Sequence, residues 1–166
     1  TAGAAVHHTL DTLESLLSAR PPLAAQLAGH NEFWAFCLER LAQPDFDTNK
    51  LFCSEILSII MSAAASNCEM AFCSGAEAGP ARLNSLCDIA DSLAQREADS
   101  GEEEECVANV FGALTSAMLA AKCQLAFVRE GGISVLIRAI KARRAAFPHA
   151  TRTLAQALEN CPEACE

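Results

Sequence analysis

The 166-residue sequence has no tyrosine and one tryptophan, and the alternation of apolar and polar residues that marks β-strands is rare. Alanine and leucine, which favour helices, are abundant. No segment reaches the roughly 18 consecutive apolar residues of a membrane span, because the richest run, residues 56–65, is interrupted by two serines. No basic start followed by an apolar block predicts a secretory signal. The composition therefore predicts an all-α protein without a membrane contact.

Sequence motifs that carry catalysis or hold a cofactor are missing as well. There is no Walker loop, GxGxxG, HExxH or GxSxG pattern. His7 and His8 are adjacent and diverge on a helix, and Cys161 and Cys165 form a close pair without the second pair that a zinc site requires. The glutamates at 102–105 lack the apolar surroundings that prepare a carboxyl group for acid catalysis. We therefore expect no enzyme, no metal and no cofactor.

Cysteines are numerous but do not form a disulfide framework. Their number is odd and their spacing irregular, which argues against a secreted disulfide-rich domain. Most occupy positions where an apolar residue is expected, and a free cysteine behaves as a small apolar side chain. We expect these thiols to be reduced and mostly buried, in the cytosol or nucleus. The nine are Cys37, Cys53, Cys68, Cys73, Cys87, Cys106, Cys123, Cys161 and Cys165.

Charge is distributed unevenly along the chain, whose net charge is −9. Residues 1–106 contain 5 Lys/Arg and 17 Asp/Glu, whereas residues 107–166 contain 7 and 4. An acidic surface repels nucleic-acid phosphates, so we expect no direct binding of nucleic acid. The same surface favours a basic protein partner.

Turn signals divide the chain into helices whose lengths recur in the order long, short, middle. Long helices are predicted at about 4–18, 49–62, 102–119 and 147–159. Short helices are predicted at about 23–28, 67–73 and 122–129, and middle helices at about 32–42, 81–95 and 133–143. The breaks between them coincide with Pro and Gly residues. This order predicts three helices in each repeating unit.

An internal repeat supports the same division. The segment "CEMAFCSG" at 68–75 matches "CQLAFVRE" at 123–130, and the stop glycines Gly29, Gly75 and Gly131 are 46 and 56 residues apart. The first spacing is typical of armadillo and HEAT units, and three helices per unit favour armadillo. We attribute the longer second spacing to an acidic loop at 96–105. The pattern predicts one domain, a right-handed α-solenoid of about three armadillo repeats, at about 1–20 (partial), 21–62, 63–119 and 120–160.

The segment "PDFDTNKLFCSEILSII" at 44–60 resembles the F-D-x-N-K-L-aromatic-C-S-E signature of the nuclear beta-catenin-like armadillo family, which is associated with the spliceosome. "AVHHTLDTLESL" resembles the helix before that signature in the family. "EEEECVANVFGALTSAML" and "FVREGGISVLIRAI" resemble the repeat that follows it. The resemblance implies a nuclear, non-enzymatic scaffold of a pre-mRNA splicing complex, of which this chain would be a central fragment.

A candidate binding site follows from the solenoid, because the long third helices of armadillo repeats line the concave groove. We expect the polar residues of the 46–60 stretch to coat that groove, and Trp34 to be buried between repeats. The partner would be a basic, extended segment of a nuclear splicing factor, such as a nuclear-localisation-like peptide. The predicted groove residues are Asp11, Ser15, Lys50, Ser54, Ser58, Glu105, Asn109, Ser116, His149, Arg152 and Gln156.

Two other functions stay open at this point. A nuclear-import-receptor-like adaptor would use repeated Trp and Asn residues on successive third helices, but the single Trp34 lies on a middle helix. A helical cysteine-based redox or regulatory protein would require a strongly reactive thiol. We also expect apolar repeat ends that could form a homodimer, since internal repeats normally stack on neighbours.

Overall fold

The computed structural model describes residues 2–75, 77–159 and 161. These residues form ten α-helices and no strand, which confirms the predicted all-α class. The helices are α1 (Ala2–Ala19), α2 (Pro22–Ala28), α3 (Asn31–Ala42), α4 (Thr48–Ala63), α5 (Ala65–Phe72), α6 (Ala78–Ala94), α7 (Gly101–Ala117), α8 (Ala121–Arg129), α9 (Gly132–Ala142) and α10 (Phe147–Leu158). No single helix among them is long and apolar enough to cross a membrane, and the pairs α4–α5 and α7–α8 reach that length only across bends of 117° and 113°.

The helices stack as three consecutive three-helix units, α2–α4, α5–α7 and α8–α10, with α1 placed before them. The long helices α1, α4, α7 and α10 pack side by side, each against the next. The middle helices α3, α6 and α9 contact one another in the same order, as do the short helices α2, α5 and α8. Contact between equivalent helices of neighbouring units is the arrangement of a solenoid. The predicted α-solenoid is therefore confirmed.

Two of the three predicted stop glycines adopt the backbone conformation that favours glycine. Gly75 and Gly131 have φ values of 76° and 82° and lie between a short and a middle helix. Gly29 has a φ of −92° and has a different role. A Cβ atom at Gly29 would lie 3.0 Å from Met70 Sδ, so the glycine permits close packing between α2 and α5.

Arginines connect successive units on the middle-helix side. The Arg96 guanidinium, just after α6, donates to the carbonyl of Pro44, and Arg144, just after α9, donates to the carbonyl of Gln95. Arg138 on α9 also forms a bidentate pair with Asp91 on α6, at 2.7–3.1 Å. Exposed contacts of this kind contribute little individually. Their recurrence at equivalent positions fixes how one unit sits on the next.

The predicted acidic loop at 96–105 is shorter than expected, because α7 begins at Gly101. Ser100 Oγ accepts from the Glu103 backbone N–H at 3.1 Å, and the Glu103 carboxylate accepts from the Asp99 N–H at 2.9 Å. These bonds satisfy free N–H groups at the start of the helix. The glutamates at 102–105 therefore occupy the first turns of α7, where the helix dipole favours negative charge.

Candidate functional site

The FDTNK sequence at 46–50 forms the corner between α3 and α4. The Asp47 carboxylate accepts from the Lys50 backbone N–H at 2.9 Å, which caps α4, and it also pairs with the Arg40 guanidinium on α3. The Lys50 ammonium reaches back to the carbonyl of Gln43, the residue that ends α3, at 2.6 Å. Both charges thus stabilise helix ends. The FDTNK motif therefore stabilises the corner between α3 and α4.

Lys50 is therefore not available on an open groove, which corrects its predicted placement. Only 2% of the residue is exposed, and burial lowers the pKa of its ammonium group. Its side chain lies beside a cavity of about 400 Å³ between α3 and α6, which is also lined by Leu38, Asp88 and Ile89. The side chain points towards the middle helices because the C-terminal end of α3 supplies the acceptor.

Ser54 is also buried and also departs from its predicted placement. Its hydroxyl donates to the carbonyl of Leu51 at 2.7 Å and accepts from Asn109 Nδ2 on α7 at 3.2 Å. Ser54 and Asn109 thus connect two neighbouring long helices. Their hydrogen bond lies in the α4–α7 interface, one of the main packing surfaces of the solenoid.

The other nine predicted residues keep some solvent exposure on the long helices. We call the accessible surface of α1, α4, α7 and α10 the open face. On α4, Ser58 is half-buried and Ser62, two turns from Ser54, is exposed. The predicted residues that stay accessible are Asp11 and Ser15 on α1, Ser58 on α4, Glu105, Asn109 and Ser116 on α7, and His149, Arg152 and Gln156 on α10.

The half-buried Glu55 on α4 is influenced by carboxylates of the two neighbouring long helices. Its pKa is raised by burial, by Glu105 on α7 and, less strongly, by Glu14 on α1. Glu55 thus lies in the negative field of two other carboxylates. We call Glu14, Glu55 and Glu105 the glutamate row.

Sequence reasoning identified Glu105 but missed Glu14 and Glu55. A signal for Glu55 was present, because it lies on the side of α4 opposite the buried Cys53, Ile56 and Ile60. The proximity of Glu55 to Glu14, 41 residues earlier, depends on how the units stack. No local pattern reports that distance.

The α10 end of the open face differs in charge from the glutamate row. Arg152 is exposed, and burial together with Arg152 lowers the pKa of His149. Gln156 Nε2 donates a hydrogen bond to Glu159 Oε2 at 2.8 Å. Gln124 Nε2 donates to backbone carbonyls at the C-terminal end of α10, at 2.7–3.2 Å. The open face is therefore acidic from α1 to α7 and carries a cation at α10.

The tryptophan and the cysteines lie away from the open face. Trp34 is fully buried, and its Nε1–H donates to the carbonyl of Ala28 at 2.9 Å, which confirms its predicted burial. Seven of the eight described cysteines are buried, as predicted; Cys73 is half-buried, and Cys165 lies outside the described residues. Burial raises the pKa of Cys68 to about 11 and that of Cys87 to about 12, so these thiols are protonated near neutral pH.

The described residues do not assemble a metal site. Within residues 2–75, 77–159 and 161, no group of three or more His, Cys, Asp or Glu side chains could hold a metal ion. Cys165 of the predicted Cys161–Cys165 pair lies outside the described residues. What the described part of the open face offers is a set of carboxylates, hydroxyls and amides on a rigid layer of helices. Such groups suit the binding of a polar, extended ligand.

Comparison with known proteins agrees with this architecture. A family model described as "Catenin-beta-like, Arm-motif containing nuclear" matches residues 1–166. Beta-catenin-like protein 1 of Mus musculus is 26% identical over 154 residues, covering 92% of this chain and 26% of the relative. The Homo sapiens protein of the same name is 25% identical over the same coverage. The chain thus spans about a quarter of the length of the curated relatives it matches.

The whole-chain match and the stacked three-helix units identify an armadillo-type scaffold, in which the FDTNK motif forms the corner between α3 and α4. The family is described as nuclear, in agreement with the predicted localisation. The chain belongs to the catenin-beta-like family of nuclear proteins that contain armadillo motifs.

Proposed function

We propose that this chain is a non-enzymatic armadillo scaffold of a pre-mRNA splicing complex, and that its open face binds a basic, extended peptide from a nuclear partner. A nuclear-localisation-like segment of a splicing factor has the required chemistry. The observation that carries the proposal is the glutamate row, in which Glu55 is flanked by Glu14 and Glu105.

The glutamate row favours a cationic ligand for an electrostatic reason. Burial and the charges of Glu105 and Glu14 raise the free energy of ionised Glu55, and a lysine or arginine side chain placed beside it would lower that free energy. Ser58 lies about one turn after Glu55 on α4, Asn109 lies about one turn after Glu105 on α7, and Ser116 continues the polar side of α7 beyond them. These side chains could hydrogen-bond the backbone of the peptide. Exposed ion pairs contribute only about 0–1 kcal/mol each. Affinity must therefore come from several contacts at once, and it should fall as salt is added.

Two cations decide where on the face such a peptide would bind. Lys50 is buried and bonded to the Gln43 carbonyl, so its ammonium does not compete for the carboxylates of the open face. Arg152 is exposed on α10 and would repel a basic ligand. The proposed site therefore extends across α1, α4 and α7 and stops before α10.

The test is a titration of the protein with a lysine- and arginine-rich peptide at low and at moderate salt. We expect Glu55→Gln to weaken binding about two- to fivefold, the effect of one exposed or half-buried ion pair. Glu105→Lys should weaken it more, because the sign of the charge is reversed, and Asn109→Ala should remove a backbone contact. Asp88→Asn on α6 removes an exposed carboxylate from the other side of the solenoid and serves as the control. Equal affinity in all variants, or no binding at low salt, would contradict the proposal.

The two alternative functions have weaker support. An import-receptor-like adaptor would need tryptophan on the groove, whereas Trp34 is buried and hydrogen-bonded between α2 and α3. A cysteine-based redox or regulatory protein would need a strongly reactive thiol, whereas the hydrogen bond with Cys53 and burial raise the pKa of Cys37, and burial raises the pKa of Cys68 and Cys87. Binding of a basic peptide with the stated salt dependence would distinguish the proposed scaffold from a protein of this kind.

Self-association through apolar ends stays a prediction. Val6 and Phe36 are more than one-third exposed and line an apolar groove of about 480 Å³ between α1 and α3, together with Leu10 and Leu13. Light scattering over a concentration series tests the prediction. A monomer at the highest concentration would contradict it.

A further inference from the structure

Two thiols from consecutive units approach each other on the short-helix side of the solenoid. Cys73 ends α5 and Cys123 lies in the first turn of α8, and their Sγ atoms are 3.5 Å apart. Cys73 is half-buried and therefore reachable from solvent, whereas Cys123 is buried behind it. The short helices α5 and α8 are direct neighbours in the stack. The two sulfurs thus meet at the contact between two units, although they are 50 residues apart in the chain.

We propose that Cys73 and Cys123 form a reversible oxidation site, at which a hydroperoxide converts the two thiols into a disulfide between neighbouring units. The sulfurs need to approach from 3.5 Å to about 2 Å, the length of a disulfide bond. The cysteines sit at the end of one short helix and the start of the next, so small side-chain rotations can supply the movement. This site is distinct from the open face.

The reaction balances with hydrogen peroxide as the only oxidant. The Cys73 thiolate attacks one peroxide oxygen, the O–O bond breaks, and the leaving hydroxide takes a proton to become water, leaving a sulfenic acid on Cys73. The Cys123 sulfur then attacks the Cys73 sulfur as its thiol proton is lost. The S–O bond breaks, the S–S bond forms, and the hydroxyl leaves as a second water. Two thiols lose two electrons and two protons in total, and the peroxide is reduced to two waters.

The surroundings of the pair determine which sulfur reacts first. Burial raises the pKa of Cys123, so its thiolate is scarce until the sulfenic acid is next to it. The exposed Lys122 ammonium donates to Glu69 at 2.9 Å, and that bond, the Glu69 charge and the nearby Cys73 and Cys123 sulfurs raise the pKa of Lys122. Lys122 is paired with Glu69, whose charge also raises the pKa of Cys123. Because Cys73 is the more accessible of the two sulfurs, it is the first nucleophile, and Cys123 is the resolving thiol.

A second pair of neighbouring thiols provides an internal comparison. Cys37 and Cys53 interact by a side-chain hydrogen bond, but both are fully buried in the core. Peroxide cannot reach them while the protein is folded. Cys68, five residues before Cys73, is also fully buried, and its thiol donates to the Met61 carbonyl at 3.4 Å. Oxidation of the folded protein should therefore select Cys73 and Cys123.

The first experiment maps the bridge directly. The full chain is reduced, exchanged out of reductant, treated with limiting hydrogen peroxide, alkylated while folded, and digested without reduction for mass spectrometry. We expect one linked peptide pair, Cys73–Cys123, which disappears after dithiothreitol is added. Cys37 and Cys53 should stay unlinked. Peroxide treatment that yields no Cys73–Cys123 peptide, or that links Cys73 to Cys68, overturns the proposal.

Variants separate the two roles. In Cys123→Ala the resolving thiol is missing, so a sulfenic-acid probe such as dimedone should label Cys73 several-fold more than in the unmodified chain. Cys73→Ser, a change at a half-buried position, should abolish both the label at this site and the bridge. Cys87→Ala, which removes a buried thiol elsewhere, is the matched control and should leave the bridge intact. Circular dichroism shows that each variant is folded, and equal labelling of Cys73 with and without Cys123 would overturn the assignment of Cys123.

Discussion

The neighbouring long helices α4 and α7 both carry polar residues at helical spacing, yet they use them differently. On α7, Glu105, Asn109 and Ser116 all remain accessible. In the series 50, 54, 58 and 62 of α4, Lys50 and Ser54 are buried, whereas Ser58 and Ser62 reach the open face. Two residues of that series are thus used in packing, whereas the three on α7 all keep some solvent exposure, although Asn109 also bonds Ser54.

Helix geometry explains the difference. A step of four residues advances about 40° beyond one full turn of a 3.6-residue helix, so positions 50, 54, 58 and 62 drift by about 120°. The drift starts at the contact with α3 and α7 and ends on the open face. Positions 105, 109 and 116 are separated by four and then seven residues, and a seven-residue step turns back by about 20°. They therefore stay on one side of α7.

The comparison also separates two uses of polar chemistry. Buried polar groups on α4 satisfy backbone acceptors and hold elements together: Lys50 bonds Gln43, and Ser54 bonds Leu51 and Asn109. Glu105, an accessible residue on α7, has no comparable structural role, because it forms no salt bridge among the described residues. We therefore expect changes at Lys50 and Ser54 on α4 to affect stability and changes at Glu105 on α7 to affect binding, whereas Asn109, which bonds Ser54, should affect both.

The largest expected effect comes from reversing the charge of Lys50. Lys50→Glu would place a carboxylate against the Gln43 carbonyl and near Glu103, while the neighbouring cations Arg40 and Arg96 are already paired with Asp47 and Glu103. We expect a loss of about 3–5 kcal/mol in the free energy of unfolding, the range for an uncompensated buried charge. Urea unfolding followed by circular dichroism measures it.

Glu105→Lys on α7 is the matched control, since it reverses a charge at an exposed position. Its effect on stability should stay within about 0.5 kcal/mol. Equal losses in the free energy of unfolding would show that Lys50 is no more important for stability than the exposed Glu105.

A smaller effect is expected for the hydrogen bond between Ser54 and Asn109, which joins the two helices at 3.2 Å. Ser54→Ala, Asn109→Ala and the double variant form a double-mutant cycle. We expect a coupling energy of about 1 kcal/mol, because the bond is partly buried. Urea unfolding of all four proteins gives the value. Strict additivity would show that the bond does not contribute to the α4–α7 contact.

Much of the fold could be predicted from the sequence because its helix limits depend on local chemistry. The predicted helix at 49–62 corresponds to Thr48–Ala63, and the Asp47 carboxylate just before it accepts from the Lys50 N–H. The long, short and middle order also followed from local breaks at proline and glycine. The predicted helix at 102–119 corresponds to Gly101–Ala117, but the acidic loop predicted at 96–105 extended too far into it. Ser100 and Glu103 instead form cap bonds there.

The site was predicted less well because its geometry arises between units. Helical spacing indicates which residues share a side of one helix, but not which neighbouring helix covers that side. The burial of Lys50 depends on the end of α3, and the field around Glu55 depends on Glu14 and Glu105 from other units. The Cys73–Cys123 contact is of the same kind, although the repeat comparison aligned Cys123 with Cys68.

Gly112 allows a stabilising change on α7. It lies within the helix, and a Cβ at this position would be 3.6 Å from Ser58 Oγ on α4, an ordinary contact distance. Gly112→Ala should raise the free energy of unfolding by about 0.5–1 kcal/mol, because alanine restricts the unfolded chain and favours the helix. Thermal unfolding measures the gain. Gly101→Ala, at the first residue of α7 with no atom within 4 Å, should gain less; a loss at Gly112 would show that α4 and α7 pack more tightly there than the distance implies.

The smallest effect should come from Glu55, and its pH dependence identifies it. The folded-state pKa of Glu55 is raised by burial, Glu105 and Glu14, so the folded protein holds its proton more tightly than the unfolded chain does. Stability is then lost as pH rises through the interval between the unfolded and the folded pKa of this group. Glu55→Gln removes the loss, and since Glu55 is only half-buried the gain at pH 7 should be a few tenths of a kcal/mol. Below about pH 4, where the unfolded carboxyl is also protonated, the gain should vanish. Thermal unfolding of the variant and of Glu39→Gln, an exposed control on α3, at pH 4 and pH 7 measures this. A gain that is equal at both pH values would show that Glu55 acts through packing. Repulsion of its ionised carboxylate by Glu105 and Glu14 would then not lower the free energy of unfolding.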